Sequence, residues 1–138
     1  IKIKIDILLV MDCSQVYLKE VLKDGIKMNG VFSKKEFKKG ELIEYGIAVI
    51  VNANGNENPH FFTWSDNIPN KTWAMCSGAS PFYNTSLDAN TEMKRDFVNN
   101  SFQIIAKKDI KKDEELTHQY KSLTWRPCFS ELYSSLKN

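Results

Sequence analysis

At 138 residues the chain is long enough for one well-buried core and too short for two. Hydrophobic residues make up 42% and charged residues 26%, the balance of an ordinary globular protein. The longest apolar run, Ile7 to Met11, is far too short for a membrane-spanning helix. A net charge of +2 and a pI near 8.4 lack the strong basic bias of a direct nucleic-acid binder.

Ile1, Ile3, Ile5 and Ile7 alternate with Lys2, Lys4 and Asp6, the period-2 pattern of a half-buried strand. This stretch, through Asp12, is expected either as an extra strand on the domain or as a pairing edge for a second subunit. Gln15 to Val21 is a second extended segment, ending in the turn Lys23-Asp24-Gly25. Gly30-Val31-Phe32-Ser33 is short and apolar. After the turn at Lys38-Lys39-Gly40 comes Glu41 to Val51, the strongest β segment, rich in Ile, Val and Tyr. Asn52 to Pro59, with alternate asparagines and a glycine, reads as a loop.

Further strands are predicted at His60 to Trp64, Thr91 to Arg95 and Ser101 to Lys107. His60 is read as structural at the head of its strand, and Phe61 to Trp64 as core. His118 alternates with Leu116 and Tyr120 and is expected to be buried in a strand. Beyond Pro127, Phe129, Leu132, Tyr133 and Leu136 fall at helical spacing, so 127–138 is predicted as a helical tail. The fold class is therefore mostly β, with many short strands and one short C-terminal helix.

Cys13, Cys76 and Cys128 are too scattered for a disulfide framework, and the only histidines are His60 and His118. No metal is expected. This cysteine usage, with no secretory signal in view, points to an intracellular address. A start at Ile1 rather than Met is expected of a trimmed chain. The lysine pairs at 34–35, 38–39, 107–108 and 111–112 are each flanked by acids and read as solvated turns. Arg95 and Arg126 are the only arginines.

Four segments stand out in series, none of them a zinc, phosphate or nucleophile motif. Met28-Asn29-Gly30-Val31-Phe32 is a tight turn leading into Lys39-Gly40-Glu41-Leu42-Ile43-Glu44. Gly78 to Asn90 contains Phe82-Tyr83-Asn84-Thr85-Ser86. Asp113-Glu114-Glu115-Leu116-Thr117-His118-Gln119-Tyr120 follows a strand and a basic turn. Thr124-Trp125-Arg126-Pro127-Cys128-Phe129 closes the series on aromatics.

In this order the four segments, from about residue 15 to 129, resemble the landmarks of SET-domain lysine methyltransferases. The family's Gly-x-Gly has Met28 in place of its first glycine. Its Asn-His-Ser appears as Asn84-Thr85-Ser86, and its Pro-Asn as Ala89-Asn90. Its Gly-Glu-Glu-Leu-Thr-x-x-Tyr appears with Asp113 in place of glycine. A zinc-binding cysteine cluster after the domain, common in the family, has no counterpart, since Cys128 stands alone. The size resembles minimal SET proteins such as those of large DNA viruses.

The resemblance implies one domain over 1–138 with a SET-like β-clip fold: short sheets around a C-terminal pseudoknot, one of the rare threaded connections. It implies S-adenosyl-L-methionine as cofactor, bound by Asn29, Gly30, Phe82, Tyr83, Asn84 and Thr85, with Trp125 (or Phe129) covering the adenine. Tyr120 would be the catalytic residue, and Tyr45, Tyr83 and Thr124 would line the lysine channel, Thr124 near a position that controls the number of methyls added.

The partner would be a protein or peptide lysine. A histone tail is the first guess, the nucleus one address, and a monomer or homodimer the expected state. The rival readings are a methyltransferase for a non-histone protein and a SET fold that has lost turnover and serves as a peptide-binding module. Met28, Thr85 and Ala89 favour the last.

The chemistry makes a tyrosine sensible. Only a neutral amine attacks a methyl group, and with a reference pKa near 10.4 about one lysine in a thousand is neutral at pH 7.4. A desolvating channel beside the cofactor's sulfonium lowers that pKa by burial and like charge. The site then needs positioning, which a neutral hydroxyl supplies without a competing charge.

Overall fold

The computed structural model describes residues 11–67 and 70–137. The alternating segment Ile1 to Ile7 lies outside the described residues. Among the described residues nine strands are ordered β1 (Val16–Lys23), β2 (Ile26–Ser33), β9 (Glu115–His118), β7 (Thr91–Asp96), β8 (Ser101–Ala106), β3 (Leu42–Val51), β5 (Trp73–Cys76), β4 (Phe62–Thr63), with β6 (Asn84–Thr85) joined to β9.

β1 (Val16–Lys23) and β2 (Ile26–Ser33) form a hairpin in full antiparallel register, Val16 opposite Ser33 and Lys23 opposite Ile26. Its two-residue turn has Asp24 at φ 51° and Gly25 at φ 78°, the doubly positive conformation that matches strand twist. The predicted extended segment therefore runs two residues further than its apolar pattern suggested. Met28 keeps an ordinary φ within β2, opposite Val21.

β3 (Leu42–Val51) is the segment of strongest β propensity and the longest strand. Its first half pairs with β8 (Ser101–Ala106) and its second half with β5 (Trp73–Cys76), each antiparallel. The segment at His60 to Trp64 shrinks to β4 (Phe62–Thr63), paired with β5. β5 itself was not anticipated. It is four residues long, between polar segments, and only β3 and β4 on its two sides hold it extended. β7 (Thr91–Asp96) is the antiparallel partner of β8.

The C-terminal strand β9 (Glu115–His118) ties the two ends of the domain together. It is antiparallel to β2 at Val31–Leu116 and parallel to β6 (Asn84–Thr85) and to β7 at Thr91–His118. Side chains lock this crossing. Asn90 donates to the Glu115 carbonyl at 2.9 Å and accepts from the Thr117 N–H at 2.9 Å, and the Thr91 hydroxyl donates to the Thr117 carbonyl at 2.9 Å. Asn90 and Thr91 are buried, so these bonds satisfy groups that would otherwise be costly to bury.

The core lies beneath this crossing: Val31, Phe37, Ile43, Phe102, Ile104, Ile110 and Leu116 are essentially inaccessible. Alternation explains the choice, since Leu116 and His118 on β9 point inward while Glu115 and Thr117 are half-exposed. The tail forms a 3-10 turn (Pro127–Phe129) and helix α1 (Ser130–Lys137). Phe129 is buried. No helix among the described residues is long and apolar enough to cross a membrane.

Candidate functional site

Tyr120 follows β9 immediately and is fixed at both ends. Its N–H donates to the Thr85 hydroxyl at 3.2 Å, and its own hydroxyl donates to the Tyr83 carbonyl at 2.7 Å. The parallel pairing of 84–85 with 117–118 sets this up, because it brings the Phe82–Thr85 backbone alongside the strand that delivers Tyr120. The Tyr120 ring lies 4.9 Å from Phe129 and 5.1 Å from His118, centroid to centroid. Burial pushes its phenol up to about 12, with the Arg126 charge acting in the opposite sense. It is therefore neutral at physiological pH.

Two further buried titratable groups stand behind Tyr120. The Tyr83 hydroxyl donates to Glu44 Oε1 at 2.8 Å, and the Ala79 N–H donates to Glu44 Oε2 at 2.9 Å. Gly78, at φ 67°, passes so close to the Glu44 carboxyl that a Cβ there would collide with it. Burial outweighs these bonds and raises the Glu44 carboxyl to about 7. His118 is enclosed by the Phe62, Tyr83 and Tyr120 rings. Burial, helped by the Lys121 charge, lowers it to about 4, and its Nδ1 has no hydrogen-bond partner. At neutral pH it is an uncharged packing group.

Beside Tyr120 opens a cavity of ≈ 390 Å³. Its apolar lining includes Phe61, Phe62, Pro81, Tyr83, Tyr120 and Phe129, and its charged lining is Arg95, Arg126, Lys107 and Lys121 against Glu92. Arg126 is 3% exposed. It donates to the Gly55 carbonyl at 2.6 and 3.1 Å and to the Asn58 carbonyl at 2.7 Å, and lies over the rings of Trp73 and Phe129 at 4.7 and 4.8 Å. It thus fastens the C-terminal segment to the Asn52–Pro59 loop and adds a buried positive charge to the cavity wall.

A second, polar cluster lies where β2, β6 and β9 meet. The Asn84 side-chain amide donates to Glu115 Oε2 at 2.8 Å and to the Asn29 carbonyl at 3.2 Å. Lys23, at the end of β1, pairs with Glu115 at 3.2 Å. Gly30 is buried beneath them, and a Cβ on it would stand 2.7 Å from Glu115 Oε2 and 3.3 Å from the Asn84 amide nitrogen. A side chain at this position would push the Glu115 carboxyl aside.

The anticipated residues therefore fall into two groups. Asn29, Gly30 and Asn84 converge on the polar cluster, and Tyr83 and Tyr120 line the cavity, with Thr85 joining the groups through its bond to Tyr120. Phe82 is half-buried against the core, 5.8 Å from the His60 ring. The structure does not bring Tyr45, Thr124 or Trp125 to the cavity lining. Tyr45 bonds through its backbone to Asp12, Thr124 is exposed, and Trp125 is 49% exposed. Phe129 lines the cavity, its ring tilted at 40° against that of Tyr120.

Phe61 and Phe62, expected as core, line the cavity. Lys23, Glu115 and Arg126 were not named as site residues, though Glu115 and Arg126 lie within the quoted segments. For Arg126 a signal existed: the chain has two arginines, and both line the cavity.

The family model for the SET domain matches residues 29–121. The chain belongs to the SET-domain family. Among solved structures, it is similar to a candidate histone methyltransferase of Plasmodium falciparum, with 23% identity and a TM-score of 0.56 over 76% of this chain and 97% of that one. It is similar to a humanized mutant of the Chaetomium thermophilum Polycomb Repressive Complex 2 bound to the inhibitor GSK126, with 20% identity and a TM-score of 0.63 over 80% of this chain. It also resembles ctPRC2 in an autoinhibited conformation bound to S-adenosylmethionine, with 20% identity and a TM-score of 0.60. The chain spans only 15% and 16% of those two larger chains. At these identities the likeness establishes the fold. No match is found among curated proteins.

Two departures from the SET motifs have structural answers. Asp113, in the family's glycine position, has φ 67°, a conformation that glycine adopts freely and Asp tolerates better than most residues. Its carboxylate accepts from the Tyr17 hydroxyl at 2.9 Å. Thr85, in the family's histidine position, uses its hydroxyl to hold the Tyr120 backbone.

Proposed function

We propose that this SET domain transfers a methyl group from S-adenosyl-L-methionine to a lysine amine of a protein or peptide. The observation that carries the reading is Tyr120: a neutral phenol, locked through its N–H and its hydroxyl, at the wall of an aromatic cavity large enough for an extended side chain. The polar cluster fits the cofactor's amino-acid end. Gly30 leaves backbone-close space, and Asn84 offers both a donor and an acceptor.

The cofactor supplies the electrophilic methyl group. The chain's own residues prepare the nucleophile. Arg95, Arg126, Lys107 and Lys121 outnumber Glu92 around the cavity, so a lysine entering it gives up its proton to solvent more readily than in water. The Tyr120 hydroxyl, held neutral, orients the resulting amine without adding the negative charge that would keep it protonated. His118 is too weak a base to take the proton at neutral pH. Phe61, Phe62 and Phe129 exclude water from the stem of the lysine.

A histone tail is our first choice of acceptor, in keeping with the similarity to histone methyltransferase folds; a non-histone lysine would use the same chemistry. The test is transfer of labelled methyl to core histones and to a cell extract by wild type and Tyr120→Phe. Labelling by wild type that collapses in the variant is expected, and the labelled band names the acceptor. No labelling combined with no cofactor binding would overturn the reading and leave a SET fold used for peptide binding.

A further inference from the structure

We infer that Glu44 is a positioning residue for the reaction: it fixes the short turn Ser80–Phe82 from behind, and with it the Tyr83 carbonyl on which the Tyr120 hydroxyl rests. The inference rests on the proposed methyl transfer at Tyr120. It adds a residue that lies outside both the cavity lining and the polar cluster.

β3 is shaped to aim Glu44 inward. Its pairing with β8 shifts register between Leu42, opposite Ile105, and Glu44, opposite Ile104. A regular strand buries alternate residues, whereas the neighbours Ile43 and Glu44 are each 1% exposed. Irregularities of this kind re-aim a side chain and are over-represented next to active sites. An apolar residue would fill the same space without the cost of burying a carboxyl.

The Glu44 carboxyl grips one turn at both ends. At the start, the Ala79 N–H donates to Oε2 at 2.9 Å and the Ser80 N–H bonds the same carboxyl. Ala79 stands at the N-cap and has no side-chain acceptor of its own, so Glu44 takes that part from a distant strand. At the end, the Tyr83 hydroxyl donates to Oε1 at 2.8 Å. Gly78 lets the chain pass this close to the carboxyl. The Tyr83 hydroxyl is thus committed to Glu44, and Tyr83 reaches Tyr120 through its main chain. Its carbonyl accepts from the Tyr120 hydroxyl at 2.7 Å. A turn held at both ends gives that carbonyl one position, and the phenol follows it.

The test is the kcat of labelled-methyl transfer by Glu44→Leu, which has no acceptor, and by Glu44→Gln, which keeps one. Each is made alone and together with Tyr120→Phe. Calorimetric affinity for S-adenosylhomocysteine, the demethylated cofactor, and thermal unfolding are measured on every protein. Glu44→Leu should lower kcat about tenfold, short of the roughly hundredfold cost of a group misplaced by a full ångström, with affinity unchanged. Glu44→Gln should keep most of the rate. In the Tyr120→Phe background Glu44→Leu should cost nothing further, because residues that act as a unit are not additive. Should Glu44→Leu fail to fold, Tyr83→Phe takes its place, since it removes the same bond from the other side and keeps the carbonyl.

Equal losses of rate in both backgrounds overturn the inference, as does an unchanged kcat. A fall in affinity that matches the fall in rate also overturns it, since Glu44 would then serve the fold alone. So does Glu44→Gln as slow as Glu44→Leu, because the retained acceptor would count for nothing. In all these outcomes wild type still transfers methyl, and the proposed function stands. No transfer by wild type overturns the proposed function, and this inference falls with it.

Discussion

The hydroxyl of Tyr120 donates to the main-chain carbonyl of Tyr83 at 2.7 Å. This one bond spans the crossing of β6 and β9 and makes the position of the phenol a property of the whole fold. Tyr120→Phe removes the bond and keeps the ring against Phe129 and His118. Stability should fall by about 1 kcal/mol, the net worth of one hydrogen bond, while methyl transfer falls about a hundredfold through misplacement of the reacting groups. Denaturant unfolding beside a labelled-methyl assay separates the two, and equal transfer by both proteins would remove Tyr120 from the reaction.

Glu44 and His118 oppose each other in acid. Glu44 is held near 7 in the fold against an ordinary 4.5, so the unfolded chain releases this proton first and stability falls as pH rises from 4.5 to 7. His118 is held near 4 against 6.5, so the unfolded chain takes up its proton first and stability falls as pH drops from 6.5 to 4. Each slope amounts to about 3 kcal/mol across its window, and in wild type they largely cancel.

Single variants should expose them. Glu44→Gln mimics the neutral carboxyl: its oxygen accepts from the Ala79 N–H, its NH2 faces the Tyr83 hydroxyl, which must turn to accept instead of donate, and the variant should lose stability only on acidification. His118→Phe should lose stability as pH rises through 4.5 to 7. Urea midpoints between pH 4 and pH 8 check both, and parallel profiles for the two variants would refute the assignment.

Arg126 holds the Asn52–Pro59 loop by its carbonyls. Arg126→Met keeps much of the apolar stem and removes every donor. The Gly55 and Asn58 carbonyls keep their backbone donors, the Asn58 and Phe61 N–H groups, so the cost is that of the lost charge-assisted bonds, about 2 kcal/mol. The same change removes a positive charge from the cavity, so the pH at which methyl transfer reaches half its maximum should move upward. A pH–rate profile with unchanged shape would show that Arg126 serves the fold alone.

Thr85→Val is close in shape and lacks the hydroxyl that accepts the Tyr120 N–H. The expected loss is about 1–2 kcal/mol from an N–H left unpaired, with transfer reduced and cofactor affinity little changed. A loss of affinity without loss of transfer would assign Thr85 to the cofactor instead.

Much of the framework was legible in the chain because it is local. A run rich in Ile, Val and Tyr marks β3, the Asp24-Gly25 turn marks the end of the first extended segment, and the spacing after Pro127 marks α1. The landmarks at 82–86 and 113–120 gave the family and the place of Tyr120. β5 was missed because its four residues are extended only between β3 and β4, and Phe61 and Phe62 read as core because an aromatic strand looks the same whether it faces a core or a cavity.

The sequence by itself determined the β-rich class and the family and drew attention to Tyr120, since periodicity and short motifs are written in neighbouring residues. Tertiary structure alone decided that the Phe129 ring packs against Tyr120, that Arg126 is buried in the cavity wall, and that Lys23 meets Glu115 across more than ninety positions. These relations arise where β9 crosses between β2, β6 and β7. Residues brought together by a crossing share no spacing along the chain, so no pattern in the sequence announces them.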